Sequence, residues 1–107
     1  MTTTRSAAVL TNAGVQQGHF THIVVDEAAQ LMECEALLPI SLAGPRTTVV
    51  MAGDPQQLGP STFTKVDSVH GLHLSVMERL SDLPTYSKRS SRVCMHLTQN
   101  FRSHPVR

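Results

Sequence analysis

The stretch HIVVDEAAQ, residues 22–30, joins a run of β-branched apolar residues to two adjacent carboxylates. Ile23, Val24 and Val25 favour a buried strand, because branched side chains pack well on a pleated surface and their burial is stabilising. Asp26 and Glu27 follow at once, and buried charges are costly unless they find partners. A strand that ends in paired acids therefore indicates that these acids have a partner at the end of the strand.

The segments around this stretch predict an α/β fold. Short, continuous apolar runs are typical of parallel strands that are buried on both faces, and helix-like segments lie between them. This alternating order favours a parallel sheet flanked by helices, and the interval from Asp26 to Asp54 suits one β–α–β unit. We predict strands at residues 7–10, 22–25, 47–52 and 92–97, and helices at residues 35–43 and 71–80.

Composition limits the classes of protein that this sequence can represent. The 107 residues suit one small domain, and the formal net charge of +1 gives no overall field that points to nucleic acid or membrane. No apolar run approaches the roughly 20 residues of a membrane span, so no membrane partner is expected. Cys34 and Cys94 are too few for a disulfide framework or a zinc site alone, and they predict buried, reduced thiols.

Three polar loops are expected at one edge of the predicted sheet, because loops that follow parallel strands share its carboxyl edge, where ligands bind. They are DEAAQ after residue 25, GDPQQLGP after residue 52 and TQNFRSHP after residue 97. A carboxylate can hold Mg²⁺, a second can accept a proton from water, and an arginine can offset charge on a transferring phosphoryl group. Together the loops predict a metal–phosphate site that contains Asp26, Glu27, Gln30, Asp54, Gln57 and Arg102.

Each loop taken alone has an ordinary structural explanation. Asp26 and Glu27 would be favourable at the amino terminus of a helix, and the glycines and prolines of GDPQQLGP suit a turn. NFRSHP by itself suits a surface turn. An unrelated metal-dependent hydrolase could use Asp26 and Asp54, but it would not need Gln57 or the NFR segment. The occurrence of all three loops in this order favours the phosphate site.

These three segments, in this order, resemble motifs II, III and IV of superfamily 1 helicases, and the similarity is greatest to the Upf-like RNA helicases. HFTHIVVDEAAQLMECEALLPI and GLHLSVMERL look like the Armitage-type and zinc-finger-helicase branch. The resemblance implies that residues 1–107 are the carboxyl-terminal part of a first RecA-like motor domain. The implied fold is a partial RecA-like (P-loop NTPase) parallel sheet, flanked by helices and lacking the P-loop strand.

The resemblance also implies roles in ATP hydrolysis for individual residues. Asp26 is similar to the acid that coordinates Mg²⁺, and Glu27 is similar to the base that polarises the attacking water. Gln30 resembles the motif II glutamine that responds to the nucleotide state, and Arg102 resembles an arginine finger that reaches the γ-phosphate. Phe101 lies where the family commonly has tyrosine, so the aromatic face near the nucleotide is kept and the hydroxyl is lost.

Motif III and a loop near the amino terminus carry the other implied contacts. Gln57 resembles the glutamine that contacts the γ-phosphate and couples it to the nucleic-acid site, in a loop shaped by Gly53 and Asp54. The resemblance places a strand-end loop like LTNAG, residues 10–14, against the nucleic-acid backbone. Thr11 and Asn12 could donate hydrogen bonds to phosphates there. From the residues alone, this segment is only a polar loop.

One motif of ATP-driven motors is absent from the sequence, which contains no Gly-x-x-x-x-Gly-Lys-Ser/Thr P-loop to cradle the phosphates. The P-loop is expected to precede residue 1, and a second motor domain to follow residue 107. The resemblance implies part of an ATP-dependent RNA helicase motor that uses ATP and Mg²⁺, acts on single-stranded or duplex RNA and needs the remainder of the helicase core as its partner. The alternative is a truncated, non-catalytic module that binds protein or RNA. The implied location is the cytoplasm, including ribonucleoprotein granules, with the nucleus as an alternative.

Overall fold

Two short parallel strands form the centre of the computed structural model, which describes residues 2–61, 71, 73–87, 92–99 and 101. Strand β1 comprises His22–Val25 and strand β2 comprises Thr48–Met51. They pair in parallel, with Val25 opposite Met51 at their carboxyl ends. The prediction of parallel strands is confirmed for these two segments.

Helix α2, Glu33–Ile40, lies between the two strands in the chain and packs against β1. Glu33 and Glu35 lie in its first turn, where negative charge is favourable against the helix dipole. Pro39 removes a backbone donor near the end of the helix, which stops at the next residue. The helix predicted at residues 35–43 is therefore confirmed, with an earlier start and an earlier end.

The core is small, and alanine supplies much of it: Ala28, Ala29 and Ala36 are at most 4% exposed. Val24 and Val50 lie opposite each other in the sheet, and their exposed fractions are 68% and 44%. The prediction that both faces of the strands are buried is therefore wrong for this chain. The described residues cover one face of the sheet and leave the other open.

Helix α1, Thr4–Asn12, occupies the segment in which residues 7–10 predicted a strand. Thr3 caps this helix, because its hydroxyl accepts a hydrogen bond from the backbone N–H of Ser6 at 3.2 Å. Ala7 is buried, and the helix packs against α2. A four-residue apolar run does not distinguish a strand from a buried helix, and here the alanines and the cap favour the helix.

The strand predicted at residues 92–97 is also wrong, since residues 92–99 are described and form neither strand nor helix. Met95 and Leu97 are 77% and 89% exposed. A strand needs a neighbour that pairs with its backbone groups. The two described strands pair with each other, and the segment at 92–97 has no described strand as its partner.

Helix α3, Val76–Ser81, starts later than the helix predicted at residues 71–80. Ser75 is its amino-terminal cap, and the hydroxyl of Ser75 accepts a hydrogen bond from the backbone N–H of Glu78 at 3.1 Å. Leu72, which belongs to the predicted helix, lies outside the described residues. Helix α4, Pro84–Ser87, follows directly.

Hydrogen bonds tie the loops together at the amino edge of the sheet. The hydroxyl of Thr47 donates to the carbonyl of Phe20 at 2.7 Å and accepts from the N–H of Gly44 at 3.0 Å. The N–H of Gly18 donates to the carbonyl of Leu42 at 2.9 Å. A Cβ on Gly44 would lie 2.6 Å from the Cα of Gly18, so this approach of two backbones requires glycine.

The two cysteines are free, with Cys34 exposed and Cys94 half-exposed, so the prediction of two buried thiols is wrong. Cys34 lies in the first turn of α2, and its position in the sequence did not reveal which face of the helix would be exposed. None of the helices in the described part of the chain is long and apolar enough to cross a membrane.

Candidate active site

The loops after β1 and β2 lie side by side at the carboxyl edge of the sheet. The N–H of Ala52 donates to the carbonyl of Val25 at 2.9 Å, and the N–H of Ala28 donates to the carbonyl of Ala52 at 2.8 Å. These bonds extend the pairing of the strands beyond their ends. They join the DEAAQ segment to the GDPQQLGP segment, as expected for loops that share one edge of a parallel sheet.

Gly53 permits the close contact between these two loops. A Cβ at this position would lie 2.8 Å from the backbone nitrogen of Ala29 and 3.1 Å from that of Ala28. These two alanines are buried and, with Gln30, form a short 3₁₀ turn, Ala28–Gln30. Because the obstructing atoms belong to the backbone, a larger residue at position 53 would push the loops apart.

Glu27 has a left-handed backbone conformation, with φ 53° and ψ 35°. Among the described residues it is the one non-glycine residue with positive φ. Such a conformation is uncommon for a residue with a side chain, and strain of this kind is concentrated at functional sites. It lets the chain turn from the end of β1 into the buried 3₁₀ turn while the Glu27 side chain stays exposed.

Among the described residues, the acids after β1 have side-chain hydrogen bonds only within their own loop. The N–H of Glu27 donates to Oδ1 of Asp26 at 3.0 Å. The side-chain amide of Gln30 donates through Nε2 to Oε2 of Glu27 at 3.2 Å. All three side chains are exposed, so water or a ligand can replace these contacts.

The loop after β2 repeats this arrangement. Oδ1 of Asp54 accepts a hydrogen bond from the backbone N–H of Gln56 at 3.0 Å. Oδ2 of Asp54 accepts from Nε2 of Gln57, also at 3.0 Å. In both loops, therefore, a carboxylate holds the side-chain amide of a glutamine that the sequence singled out.

Two open cavities lie near these loops. One, of about 800 Å³, brings together Gln30 from the first loop and Gln57 from the second, and is also lined by Gln56, Leu58, Gly59 and Ser61. The other, of about 640 Å³, is lined by Asp26 and Glu27 together with β1 and the start of α1. The two predicted glutamines thus line the first cavity together, whereas the two acids line the second.

Comparisons with known proteins show which sequences this chain is similar to. A family model described as an AAA domain matches residues 1–65. The chain is 36% identical to RNA helicase Mov10l1 of Homo sapiens over 97% of its own length, and 39% identical to a probable helicase with zinc finger domain of Danio rerio over 95%. It is also 41% identical to probable RNA helicase armi of Drosophila melanogaster over 70% of its length.

The chain belongs to the AAA domain family and, within it, to the Upf-like superfamily 1 helicases. It spans 10% of the Mov10l1 relative, 5% of the zinc-finger relative and 6% of the armi relative. The predicted fold, a partial RecA-like parallel sheet flanked by helices, is confirmed by the family match and by the parallel pairing of β1 and β2.

Asp26 is a carboxylate that could hold Mg²⁺ at this edge. Its carboxylate is exposed at the sheet edge, and Mg²⁺ is commonly held by one or two carboxylates together with waters and substrate phosphates. The described part of the chain contains no group of three or more histidine, cysteine or acidic residues that could hold a metal ion.

The other predicted helicase residues have different outcomes. Arg102 lies outside the described residues, and Phe101 is 90% exposed and lines neither cavity. Thr11 and Asn12 belong to the last turn of α1, so the prediction that they follow a strand is wrong. The physical reason is the amino-terminal cap at Thr3, after which residues 4–12 form one continuous helix. Both side chains are exposed.

Sequence reasoning missed the residues that position the two loops. Ala28 and Ala29 form the buried floor against which Gly53 packs, and small residues of this kind give no chemical signal. Ser75 had a signal that could have been used, because Ser75-x-x-Glu78 matches the pattern of a helix capping box. Recognising it would have placed the start of α3 correctly.

Proposed function

We propose that this chain supplies part of the ATP-hydrolysing site of an RNA helicase motor, which couples hydrolysis to movement along RNA or to its unwinding. The observation that carries the proposal is the cavity that Gln30 and Gln57 line together, next to the loop that presents Asp26 and Glu27. RNA is proposed as the substrate because similar proteins are named RNA helicases.

Gln30 and Gln57 would bind phosphate oxygens through their side-chain amides. Each amide now donates to a carboxylate, Gln30 to Glu27 at 3.2 Å and Gln57 to Asp54 at 3.0 Å. Because both hydrogen bonds are exposed and local, their exchange for a charged phosphate oxygen has little net cost. The carboxylates thus occupy the donors that phosphate oxygens would use.

Glu27 would act as the base once Gln30 turns towards the phosphate. It accepts a proton from the attacking water, whose oxygen bonds to the γ-phosphorus as the bond to the leaving oxygen of ADP breaks. Asp26 would hold Mg²⁺, which, when bound, offsets negative charge on the phosphates. Arg102 would stabilise the charge that develops on the transferring group.

The sequence contains no P-loop, so the proposed site needs the remainder of a helicase core as its partner. We therefore expect the 107-residue chain alone to show no measurable ATP hydrolysis, with or without RNA, in a phosphate-release assay. RNA-stimulated hydrolysis that is abolished by Glu27→Gln would contradict this expectation.

Nucleotide binding in a helicase core that contains this chain tests the proposal, because the phosphates need the P-loop of that core. We expect a non-hydrolysable ATP analogue with Mg²⁺ to shift the side-chain amide signals of Gln30 and Gln57 in NMR spectra, and Asp26→Asn to weaken that response. Gln17 is the internal control, because its amide donates to the carbonyl of Ser41 at 3.0 Å, away from the proposed site. An equal response of Gln17, or no response of Gln30 and Gln57, would refute the proposal.

A second candidate function is a non-catalytic module that binds protein or RNA. The exposure of Val24 and Val50, which lie opposite each other on the open face of the sheet, favours it, because neighbouring exposed apolar side chains can form an interaction surface. Under this alternative, the chain would bind its partner while Gln30 and Gln57 remained unresponsive to nucleotide and Mg²⁺.

A further inference from the structure

Helix α3 lies against both loops of the proposed site, although it follows them in the chain. Val76 and its cap Ser75 are buried, and the helix packs against the 3₁₀ turn Ala28–Gln30. Ser75 also forms an antiparallel bridge with Met32, the residue before α2. The amino end of α3 is thus attached to the segment that directly follows DEAAQ.

A bidentate ion pair makes a second connection to the same segment. Nε of Arg79 donates to Oε2 of Glu33 at 2.9 Å, and Nη2 of Arg79 contacts Oε1 of the same carboxylate. The hydrogen bond to Glu33 and the negative charge of Glu33 raise the pKa of Arg79, so the guanidinium keeps its charge at any ordinary pH. The planar guanidinium fixes orientation as well as distance.

Met77 connects the same helix to the second loop. Its Sδ lies 3.1 Å from the position that a Cβ on Gly53 would occupy. The thioether therefore fills the space next to Gly53. Gly53 is the residue that precedes Asp54. One helix contacts the segment that follows DEAAQ through its cap and its arginine, and the start of the GDPQQLGP loop through its methionine.

We infer that α3 is a strut that fixes the loop of Gln30 relative to the loop of Gln57, and that Glu33, Met77 and Arg79 are positioning residues for the site. This inference rests on the proposed function for its purpose, and on the contacts of α3 for its mechanism. The N–H of Ala28 donates to the carbonyl of Ala52 across the two loops, and this hydrogen bond is the joint between them. The role inferred for α3 is to keep this joint closed.

Hydrogen exchange at single backbone amides tests, without nucleotide, whether α3 holds the two loops together. The Ala28 amide reports the site edge, and the Thr48 amide, which donates to Thr21 at 2.9 Å, reports the opposite edge. We expect Arg79→Gln and Met77→Ala each to accelerate exchange at Ala28 several-fold and to leave exchange at Thr48 unchanged, because they open one joint locally. The side-chain amide signals of Gln30 and Gln57 should shift with it, and that of Gln17 should not.

A second ion pair provides the matched control. Arg5 and Glu35 join α1 to α2 at 3.6 Å, on the same helix that carries Glu33. Arg5→Gln should leave exchange at Ala28 unchanged. The charge-exchanged double variant Glu33→Arg/Arg79→Glu should restore protection at Ala28 relative to Arg79→Gln.

Equal acceleration at Ala28 and Thr48, or no acceleration at Ala28 in either single variant, would overturn the inference. The first result would show that α3 contributes only to general stability, and the second that the joint closes without it. These rates do not depend on ATP, so a failed strut and a failed nucleotide site give separate results.

Discussion

The two edges of the small sheet differ in which segments their hydrogen bonds connect. At the amino edge, the hydroxyl of Thr47 bridges Gly44 and Phe20, and the N–H of Gly18 bonds to Leu42, so these bonds join separate loops. At the carboxyl edge, the side-chain bonds stay within one loop, and the charged groups are exposed.

This difference separates stability from function. The amino edge uses backbone groups and one partly buried hydroxyl, and these groups bond to one another. The carboxyl edge keeps carboxylates and amides in exchangeable contacts, and it holds Glu27 in a strained conformation. Substitutions at the first edge should therefore lower the free energy of unfolding, whereas substitutions of the exposed carboxylates and amides at the second should change binding and have a small or even favourable effect on stability.

The largest expected effect is at Gly44 on the amino edge. Gly44→Ala places a Cβ 2.6 Å from the Cα of Gly18, and we expect the free energy of unfolding to fall by roughly 1–3 kcal/mol. Gly59→Ala is the control, because its Cβ would meet only the carbonyl oxygen of His73 at 3.6 Å. Urea denaturation measures the free energy of unfolding of both variants. Equal values would show that the backbones of Gly44 and Gly18 can move apart at the amino edge without loss of stability.

A smaller loss is expected from the hydroxyl that bridges the amino edge. Thr47→Val keeps the shape of the side chain and leaves the carbonyl of Phe20 and the N–H of Gly44 without this partner, at a cost of about 1–2 kcal/mol. Thr48→Val, at the neighbouring exposed position in β2, should change stability little. Comparable losses from the two variants in urea denaturation would count against the assigned role of Thr47.

The smallest expected effect has the opposite sign and lies at the carboxyl edge. Glu27→Gly removes the strain of a left-handed residue and adds flexibility to the unfolded chain, for a net gain of roughly 0.5–1 kcal/mol. Glu27→Gln keeps the Cβ and should leave stability unchanged. Thermal denaturation compares the two variants, and a loss of stability in Glu27→Gly would mean that the side chain of Glu27 supports the fold.

Local patterns in the sequence predicted the parts of the fold that local forces determine. The β-branched runs at HIVV and TTVVMA became β1 and β2, and the placement of the loops at one edge follows from parallel pairing. AAVL was mistaken for a strand because the helix depends on the cap at Thr3, outside the apolar run. The strand predicted at residues 92–97 was wrong because a strand must pair with a neighbouring strand, and the sequence of this segment does not specify one.

The features that position the site depend on contacts between distant residues. The ion pair of Glu33 and Arg79 and the contact of Met77 with Gly53 join segments that no local pattern connects. The left-handed conformation of Glu27 was likewise not predictable, because glutamate has no preference for it. Residue chemistry indicated which side chains could act, and the three-dimensional structure was needed to show which of them meet.

Replacement of Mg²⁺ by paramagnetic Mn²⁺, added with a non-hydrolysable ATP analogue to a helicase core that contains this chain, tests the central claim most directly. Mn²⁺ broadens the NMR signals of nearby nuclei, so it reports which edge of the sheet binds the metal and nucleotide. We expect the backbone signals of Asp26 and Glu27 to broaden first, those of Phe20 and Thr47 at the amino edge to stay sharp, and Asp26→Asn to abolish the effect. Preferential broadening at Glu33 and Glu35, or equal broadening at both edges, would contradict the assignment of the carboxyl edge as the nucleotide site.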